Sequence, residues 1–362
     1  MKLKNIAIAF LGALLFATCS KKDDEKEYTA EESKAVVRST MDNFYNCLQN
    51  LNDGGFANFF HDLLFKETVR DHQGETQSWG NFLGEKFDKQ NFAEGLTEGD
   101  RFNYHRMKGT YTWNKNTELW EKTANNENVT FIFPATKGAT NNGKLVIDQY
   151  EDTETTYGND KVYLPTAAHL YATIDNTKVF EVTVKDVTFE KKTNFTMPLS
   201  AHISIYTNPF TTTIQWNRQN PENFVFDFAF SSPQGCTTGL HADIKLTTSD
   251  YGNISSLEKA IDKIAFTATQ GELRIVGNID VKSLEEKGND RKLRVEEINT
   301  YAKAVLMKGN SKIADVKHEE ENDKGVIYFI FSDGSREKAE KYVSDFEDRV
   351  TQIFKRFERK NN

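Results

Sequence analysis

Three histidines occupy equivalent positions in three segments of alternating apolar and polar residues. His169, His202 and His241 lie in "PTAAHLYATI", "PLSAHISIYT" and "GLHADIKLT", each beside an apolar residue that faces the other way (Leu170, Ile203 and Leu240). Three imidazoles with an open coordination position could hold a catalytic zinc. Their separations of 33 and 39 residues give no short ligand spacing, however, and HExxH is absent. We therefore predict no metal site and keep zinc on these histidines as a weak alternative.

Two tryptophans suggest a second kind of chemistry, the stacking of a sugar ring. In "TYTWNKNTELWEK", Trp113 and Trp120 are symmetric about Asn116–Thr117, so a hairpin closed there places the indoles opposite each other. A solvent-facing pair would form a glycan-binding platform. A buried pair would instead stabilise the hairpin by about 0.2–1 kcal/mol, and we favour this interpretation.

A stretch of alternating phenylalanines offers an apolar surface. In "FVFDFAF", strand periodicity places four phenylalanine side chains on one face, and they are Phe224, Phe226, Phe228 and Phe230. Such a face could line a site for an apolar ligand. The alternative is a filled hydrophobic core, since apolar faces are usually buried.

No motif predicts catalysis. The sequence has no GxSxG, GxGxxG or Walker loop, and the acid-rich "DQYEDTETTYGND" (148–160) lacks the EF-hand pattern of acids and glycine. We interpret this stretch as a solvated acidic loop, although it could supply paired carboxylates. The sequence therefore predicts no catalytic residue and no cofactor, and an enzyme is the less favoured interpretation.

Hydrophobic periodicity divides the chain into three folded parts. Residues 29–98 have helical periodicity, opened by a capping box of Thr29 and Glu32. Residues 99–284 consist of short alternating runs separated by turn signals, which predicts an antiparallel sheet with one short helix in "SSLEKAIDKIAF". Residues 285–362 follow an α-β-β-α pattern, in which "KLRVEEINTYAKAVLM" is the first helix and "NDKG" closes the hairpin. The last helix has a continuous apolar stripe of Ala339, Tyr342, Val343, Phe346, Val350, Ile353, Phe354 and Phe357.

These parts together predict an α+β fold. N-terminal helices precede a large antiparallel sheet, curved or sandwich-like, and the α-β-β-α segment ends the chain. The order of a leading helix, antiparallel strands and a covering helix is loosely similar to lipoprotein-carrier folds, and this similarity is an analogy of general plan only.

The charge of the chain bears on its possible partners, and its cysteines bear on the compartment in which it folds. The chain has 54 acidic and 46 basic residues, a formal charge of −8, without a basic cluster, and this balance argues against nucleic-acid binding. Cys47 lies in a helical pattern and Cys236 in a turn-rich segment. A disulfide between them requires an oxidising compartment, and the sequence leaves the pairing open.

The first residues indicate where the protein is sent. Lys2 and Lys4 precede an apolar run over residues 6–16, which is too short to span a hydrocarbon core of about 30 Å and is typical of a signal peptide, residues 1–18. "FATC" resembles a bacterial lipobox ending at Cys19, although the threonine before the cysteine and Phe16 depart from its usual residues. "SKKDDE", after the cysteine, resembles the export signal of Bacteroidetes surface lipoproteins.

This resemblance implies a lipid anchor on Cys19, followed by a flexible tether over residues 19–28. It implies an outer-membrane location, exposed at the cell surface. A soluble secreted protein with a chance cysteine at its cleavage site is the alternative.

The sequence thus predicts a lipid-anchored, non-catalytic binding protein for a glycan or an apolar ligand. Two other classes stay open. A hydrolase would assemble its residues only in three dimensions, in a cleft with two carboxylates or a strongly perturbed histidine. A structural or adhesion protein would show a broad exposed apolar patch.

Overall fold

The structure is a computed structural model that describes residues 26–66, 68–70, 74, 76–92, 97–98, 101–125, 127–157, 160–191, 196–250, 257–289 and 291–357. The chain divides into two compact units. The first unit comprises residues 1–48 and 213–350, and the second comprises residues 49–212 and 351–362. The signal peptide, Cys19 and most of the predicted tether lie outside the described residues.

The N-terminal helices begin where side chains cap them. Helix α1 (Ala30–Asp53) follows the capping box, because Thr29 N–H donates to Glu32 Oε2 at 2.9 Å and Glu32 N–H donates to Thr29 Oγ1 at 3.2 Å. Helix α2 (Gly55–His61) continues into a π-helical turn (Asp62–Lys66), and α3 (Trp79–Lys89) begins after Ser78. The prediction of N-terminal helices is confirmed, but residues 29–98 also contain a small hairpin of β1 (Thr68–Arg70) and β2 (Thr76–Ser78) and end in the two-residue strand β3 (Thr97–Glu98).

The middle of the chain is a long meander of strands. Before it come the two-residue strands β3 (Thr97–Glu98) and β4 (Arg101–Phe102) and the single turn α4 (Tyr104–Met107). The strands are β5 (Gly109–Asn114), β6 (Leu119–Thr123), β7 (Val129–Phe133), β8 (Gly143–Tyr157), β9 (Asp160–Ile174), β10 (Thr177–Lys191), β11 (Thr196–Thr207), β12 (Phe210–Asn220), β13 (Asn223–Ser231) and β14 (Thr237–Leu246).

Further strands and short helices complete the chain. They are α5 (Leu257–Ala260), β15 (Ile261–Gln270), β16 (Leu273–Asp280), α6 (Val281–Gly288), α7 (Val295–Tyr301), β17 (Ala302–Lys308), β18 (Ser311–Glu321), β19 (Lys324–Ile330), β20 (Arg336–Lys338) and α8 (Phe346–Ile353). Two 3-10 turns, Ala339–Tyr342 and Lys355–Phe357, flank α8.

Sixteen of the strands form one sheet in the order β20-β19-β18-β17-β16-β15-β14-β13-β12-β11-β10-β9-β8-β7-β5-β6. Strands that follow each other in the sequence are neighbours almost throughout, whereas β5 pairs with β7 in parallel. The α+β prediction with a large antiparallel sheet is therefore confirmed. None of the described helices is long and apolar enough to cross a membrane.

Three predicted helices differ from the structure. "SSLEKAIDKIAF" is helical only over α5 within its described part, and its second half begins β15. The helix predicted over "KLRVEEINTYAKAVLM" ends at Tyr301, and "AKAVLMK" is β17. The C-terminal apolar stripe is divided among two 3-10 turns and α8. The predicted hairpin around "NDKG" is confirmed, with Asn322 and Asp323 at positive φ in the turn between β18 and β19.

The second unit has an aromatic core between α3 and strands β5–β7. Trp79, Phe82 and Phe87 of α3 pack with aromatic residues from α4 and the strands, a set that contains Tyr104, Tyr111, Trp113, Trp120 and Phe133. Trp79 Nε1–H donates to the Pro134 carbonyl at 2.8 Å, so the polar atom of this buried indole is satisfied.

In the first unit, a disulfide joins α1 to the segment before β14. Cys47 and Cys236 are bonded, with their Cα atoms 5.7 Å apart, and both residues are buried. The pairing that the sequence left open is therefore present. Apolar residues from α1 and from the strands are buried in the same unit, among them Val37, Met41, Phe44, Leu273, Ile275 and Leu306.

Candidate functional site

The tryptophan pair belongs to the hydrophobic core. Trp113 and Trp120 are opposite each other in the β5–β6 register, as predicted, with ring centroids 5.6 Å apart. They are only 3% and 6% exposed, and Trp120 Nε1–H donates to the Leu83 carbonyl at 2.9 Å. A sugar cannot stack on buried faces, so this pair does not form the glycan platform that we considered.

The phenylalanines of β13 lie on one face, as the alternation predicts. Phe224 is buried, and Phe226, Phe228 and Phe230 are half-buried. The Trp216 ring on β12 lies 4.7 Å from the Phe224 ring, so aromatic packing extends across the two strands. This face keeps some exposed apolar surface, and the apolar-ligand alternative depends on it.

The three histidines do not form a metal site. His169 Nδ1 lies 2.6 Å from Asp148 Oδ1 and its Nε2 lies 3.2 Å from Glu181 Oε1. The two ring nitrogens point in opposite directions, and each one faces a different carboxylate. A single metal ion bound to one nitrogen could therefore not contact both carboxylates. Among the described residues, no group of three or more histidine, cysteine or acidic side chains could hold a metal.

His169 and His241 instead form ion pairs with neighbouring carboxylates. Partial burial lowers the pKa of His169, but hydrogen bonds with Glu181 and Asp148 outweigh it and raise the pKa above the ordinary 6.5. The hydrogen bond with Asp227, 2.7 Å from Nδ1, raises the pKa of His241. Because a carboxylate holds each ring nitrogen of His169, neither nitrogen is free to accept a proton from a nucleophile.

These pKa shifts predict that stability depends on pH. The charged form of His169 stabilises the native state fully below pH 6.5, and this contribution is lost as the pH rises through the raised pKa. We expect His169→Gln to lower the free energy of unfolding more at pH 5.5 than at pH 8.5, by up to about 1 kcal/mol. Urea denaturation at both pH values measures this difference.

His202→Gln is the matched control for that measurement. His202 lies opposite Lys185 in the β10–β11 register, and no carboxylate contacts it among the described residues. Equal effects of the two substitutions at both pH values would contradict the ion-pair interpretation.

The second unit contains a cleft of about 300 Å³ between β4, α4 and the middle of β8. Its lining consists of aromatic and polar side chains, which are Arg101, Phe102, Asn103, Tyr104, His105, Tyr150, Glu151 and Asp152. Small-molecule sites in proteins span about 300–1,000 Å³ and combine aromatic walls with a few polar groups, so the size and the lining suit a small ligand.

The pairing of β8 with β9 is irregular beside this cleft. The β8–β9 register shifts between Glu151 and Asp152, where Pro165 lies opposite Asp152. Proline has no N–H to donate to the ladder and is tolerated at such irregular positions. Bulges redirect side chains and are common beside functional sites. Tyr150 and Asp152, two residues apart on β8, both line the cleft.

An ion pair fixes one side of the cleft. Arg101 Nη2 lies 2.8 Å from Asp152 Oδ1, and Arg101 Nε–H donates to the same oxygen at 2.9 Å. The Asp152 side chain is only 3% exposed, whereas Arg101 is 53% exposed. The guanidinium therefore covers the carboxylate and presents its outer edge to solvent.

Tyr150 supplies both aromatic surface and a hydroxyl. Its ring meets the Phe102 ring edge to face, with centroids 4.9 Å apart. Burial, and then the neighbouring Asp152 carboxylate, raise the pKa of Tyr150, so the hydroxyl keeps its proton at neutral pH. This hydroxyl makes no hydrogen bond to the part of the chain that the structure describes, and it is available to a ligand.

The sequence did not single out the residues of this cleft. Residues 148–157 of the acid-rich stretch form strand β8 and not the solvated loop that we predicted. The signal that could have identified them is the spacing of Tyr150 and Asp152, which share one face of a strand. Arg101 and Phe102 lie about fifty positions earlier, and only the tertiary fold brings them to β8.

Comparison of the chain with models of known protein families found no match, and neither curated proteins nor solved structures showed significant similarity to it.

Proposed function

We propose that this chain is a non-catalytic glycan-binding lipoprotein, anchored through Cys19 to the outer membrane and exposed at the cell surface. The observation that carries the binding proposal is the Tyr150 hydroxyl, which makes no hydrogen bond to the described residues and lies in a cleft beside the Arg101–Asp152 pair. A sugar needs both an apolar surface for its ring and polar side chains for its hydroxyls. The Phe102–Tyr150 pair supplies the first, and the neighbouring charged groups supply the second.

The charges of the cleft favour a neutral sugar. Glu151 and Asp152 carry two negative charges against the one positive charge of Arg101. An acidic sugar would meet this excess of negative charge in a partly enclosed site, where repulsion is stronger than in bulk water. We therefore expect neutral polysaccharides to bind and sulfated or sialylated ones to be excluded.

Variants of the cleft test the proposal with the full-length chain in detergent. We expect the chain to bind at least one polysaccharide of a neutral panel of starch, xylan, mannan and galactan. Tyr150→Phe keeps the ring and removes a hydrogen bond of about 0.5–1.5 kcal/mol, so the dissociation constant should rise about 2- to 12-fold. Isothermal titration calorimetry measures the change. Tyr171→Phe on β9, outside the cleft, should leave the constant unchanged.

An apolar ligand is the second candidate, because Phe226, Phe228 and Phe230 are only half-buried. A fluorescent fatty acid distinguishes the two candidates in the same preparation. The chain could bind the fatty acid and no glycan, and Phe228→Ser could abolish this binding. That result would favour a site on the β13 face and contradict the cleft proposal.

The anchor has its own test. The Cys47–Cys236 disulfide supports export, because such bonds persist in oxidising compartments. Mass spectrometry of the protein from its native membrane should show a mature N-terminus at Cys19 carrying acyl chains. An unmodified Cys19 thiol or a different N-terminus would overturn the anchor, whatever the cleft binds.

A further inference from the structure

The first unit contains a buried histidine whose ring has no hydrogen-bond partner among the residues that the structure describes. This residue is His318 on β18, which is 2% exposed and whose Nδ1 and Nε2 are both unbonded in that part of the chain. A neutral imidazole carries one donor and one acceptor, and a buried polar group without a partner costs about 1–3 kcal/mol. Such an arrangement needs an explanation.

A small cavity adjoins this ring. It has a volume of about 10 Å³ and is lined by Lys292, Leu293, Ile298, His318, Glu320, Asp323 and Gly325. One water molecule needs roughly 10–15 Å³, so the space admits at most a single water beside the imidazole. The cavity is too small for a larger ligand.

Helix α7 is attached to the same residue through its backbone. Asn299 Nδ2–H donates to the His318 carbonyl at 2.7 Å, and His318 N–H donates to Asn299 Oδ1 at 2.9 Å. Ile298, the preceding residue of α7, is buried and lines the cavity. A shift of the His318 backbone would therefore break the two hydrogen bonds that Asn299 of α7 makes to β18.

The charged groups around the cavity do not favour a positive ring. They are Lys292 from the segment before α7, Glu320 from β18 and Asp323 from the following turn. Lys292 is paired with Glu320 and lies 3.5 Å from Asp323, so both carboxylates already have a cation. An imidazolium here would be a buried charge next to apolar Leu293 and Ile298, which is strongly unfavourable.

We propose that His318 is an acid-sensitive latch, which holds α7 on β18 while the ring is neutral and releases this helix when the ring is protonated. The latch concerns the first unit and does not depend on the glycan cleft.

The direction of the pH effect follows from burial. Burial lowers the pKa of His318, and the charge of Glu320 only partly opposes it. We call the state with α7 held on β18 closed and the state with α7 released open. As the pH falls, the exposed ring of the open state is protonated near its ordinary pKa of 6.5, whereas the buried ring of the closed state is protonated only at a lower pH. The closed state is therefore fully favoured above pH 6.5 and loses stability as the pH falls below that value.

Two measurements on the full chain test the latch. In hydrogen exchange, the amides of 291–301 and 315–321 should lose protection between pH 7 and pH 5, at least about threefold beyond the change in intrinsic rate. In an NMR titration, the His318 ring should have a midpoint below 6.5. Unchanged protection, or a midpoint at or above 6.5, would overturn the proposal.

A variant of His318 distinguishes the effect of its protonation from the effect of its packing. His318→Leu fills the site with an uncharged side chain, so protection of the same segments should become independent of pH while that of other segments stays unchanged. His241→Gln, at a surface ion pair of the first unit, is the control and should leave the response of 291–301 intact. If the leucine variant does not fold, the two measurements on the natural chain decide the question alone.

Discussion

Trp120→Ala is expected to destabilise the second unit by about 3–5 kcal/mol. The indole is 6% exposed and packs edge to face on the Phe87 and Phe131 rings, at centroid distances of 6.0 and 5.9 Å. Its removal leaves a large cavity and deprives the Leu83 carbonyl of the indole N–H. A loss of this size is a large part of the roughly 5–15 kcal/mol that stabilises an ordinary domain.

Chemical denaturation followed by the fluorescence of the remaining tryptophans measures this loss. Leu119→Ala is the matched control, since Leu119 is the preceding residue of β6 and is 42% exposed. It should change the free energy of unfolding by no more than about 0.5 kcal/mol. Similar effects of the two substitutions would show that Trp120 is not a core residue.

Loss of the disulfide is the second large effect that we expect. The bond joins residues 189 positions apart, so its removal greatly increases the freedom of the unfolded chain. The double variant Cys47→Ala with Cys236→Ala should lose about 2–5 kcal/mol of stability in the first unit. Alanine is preferred to serine here because both positions are buried and a hydroxyl would need a partner.

A reducing agent provides the control. Dithiothreitol should shift the unfolding midpoint of the natural chain to that of the double variant and should leave the variant unchanged. If peptide mapping of the oxidised protein found Cys47 and Cys236 as free thiols, the bond and its contribution to stability would both be refuted.

Local signals in the sequence predicted the parts of the fold that depend on neighbouring residues. The capping box of Thr29 and Glu32 needs only four residues and is present as predicted. The Trp113–Trp120 register and the hairpin between β18 and β19 depend on turn residues and alternation, and both are confirmed. In each case the determining contacts lie within about twenty positions of each other.

The incorrect predictions occur where tertiary pairing overrides a helical pattern. In "AKAVLMK", every second residue is buried (Ala302, Ala304 and Leu306). All three pair with β16, and the last two also pair with β18 on the other side. Helix propensity alone favoured this segment, but the sheet supplies hydrogen bonds on both sides. At the C-terminus, Ser344 and Asp345 favour the start of a new helix, and the chain turns there before α8.

The candidate site could not be derived from motifs. Its parts are a dipeptide of β4, the first turn of α4 and a segment of β8 that lies opposite a bulge in β9, and no short sequence pattern connects them. The residue types that suggested chemistry in the sequence have structural roles instead. The tryptophans fill a core, and two of the three histidines bridge carboxylates across strands.

The most direct test of the binding proposal is the crystal structure of the full-length chain soaked with the neutral oligosaccharide that binds best. We expect a sugar ring against Phe102 and Tyr150, with one hydroxyl accepting a hydrogen bond from the Tyr150 O–H and another accepting one from the exposed edge of the Arg101 guanidinium. A sugar bound anywhere else on the chain, with this cleft empty, would contradict the proposal.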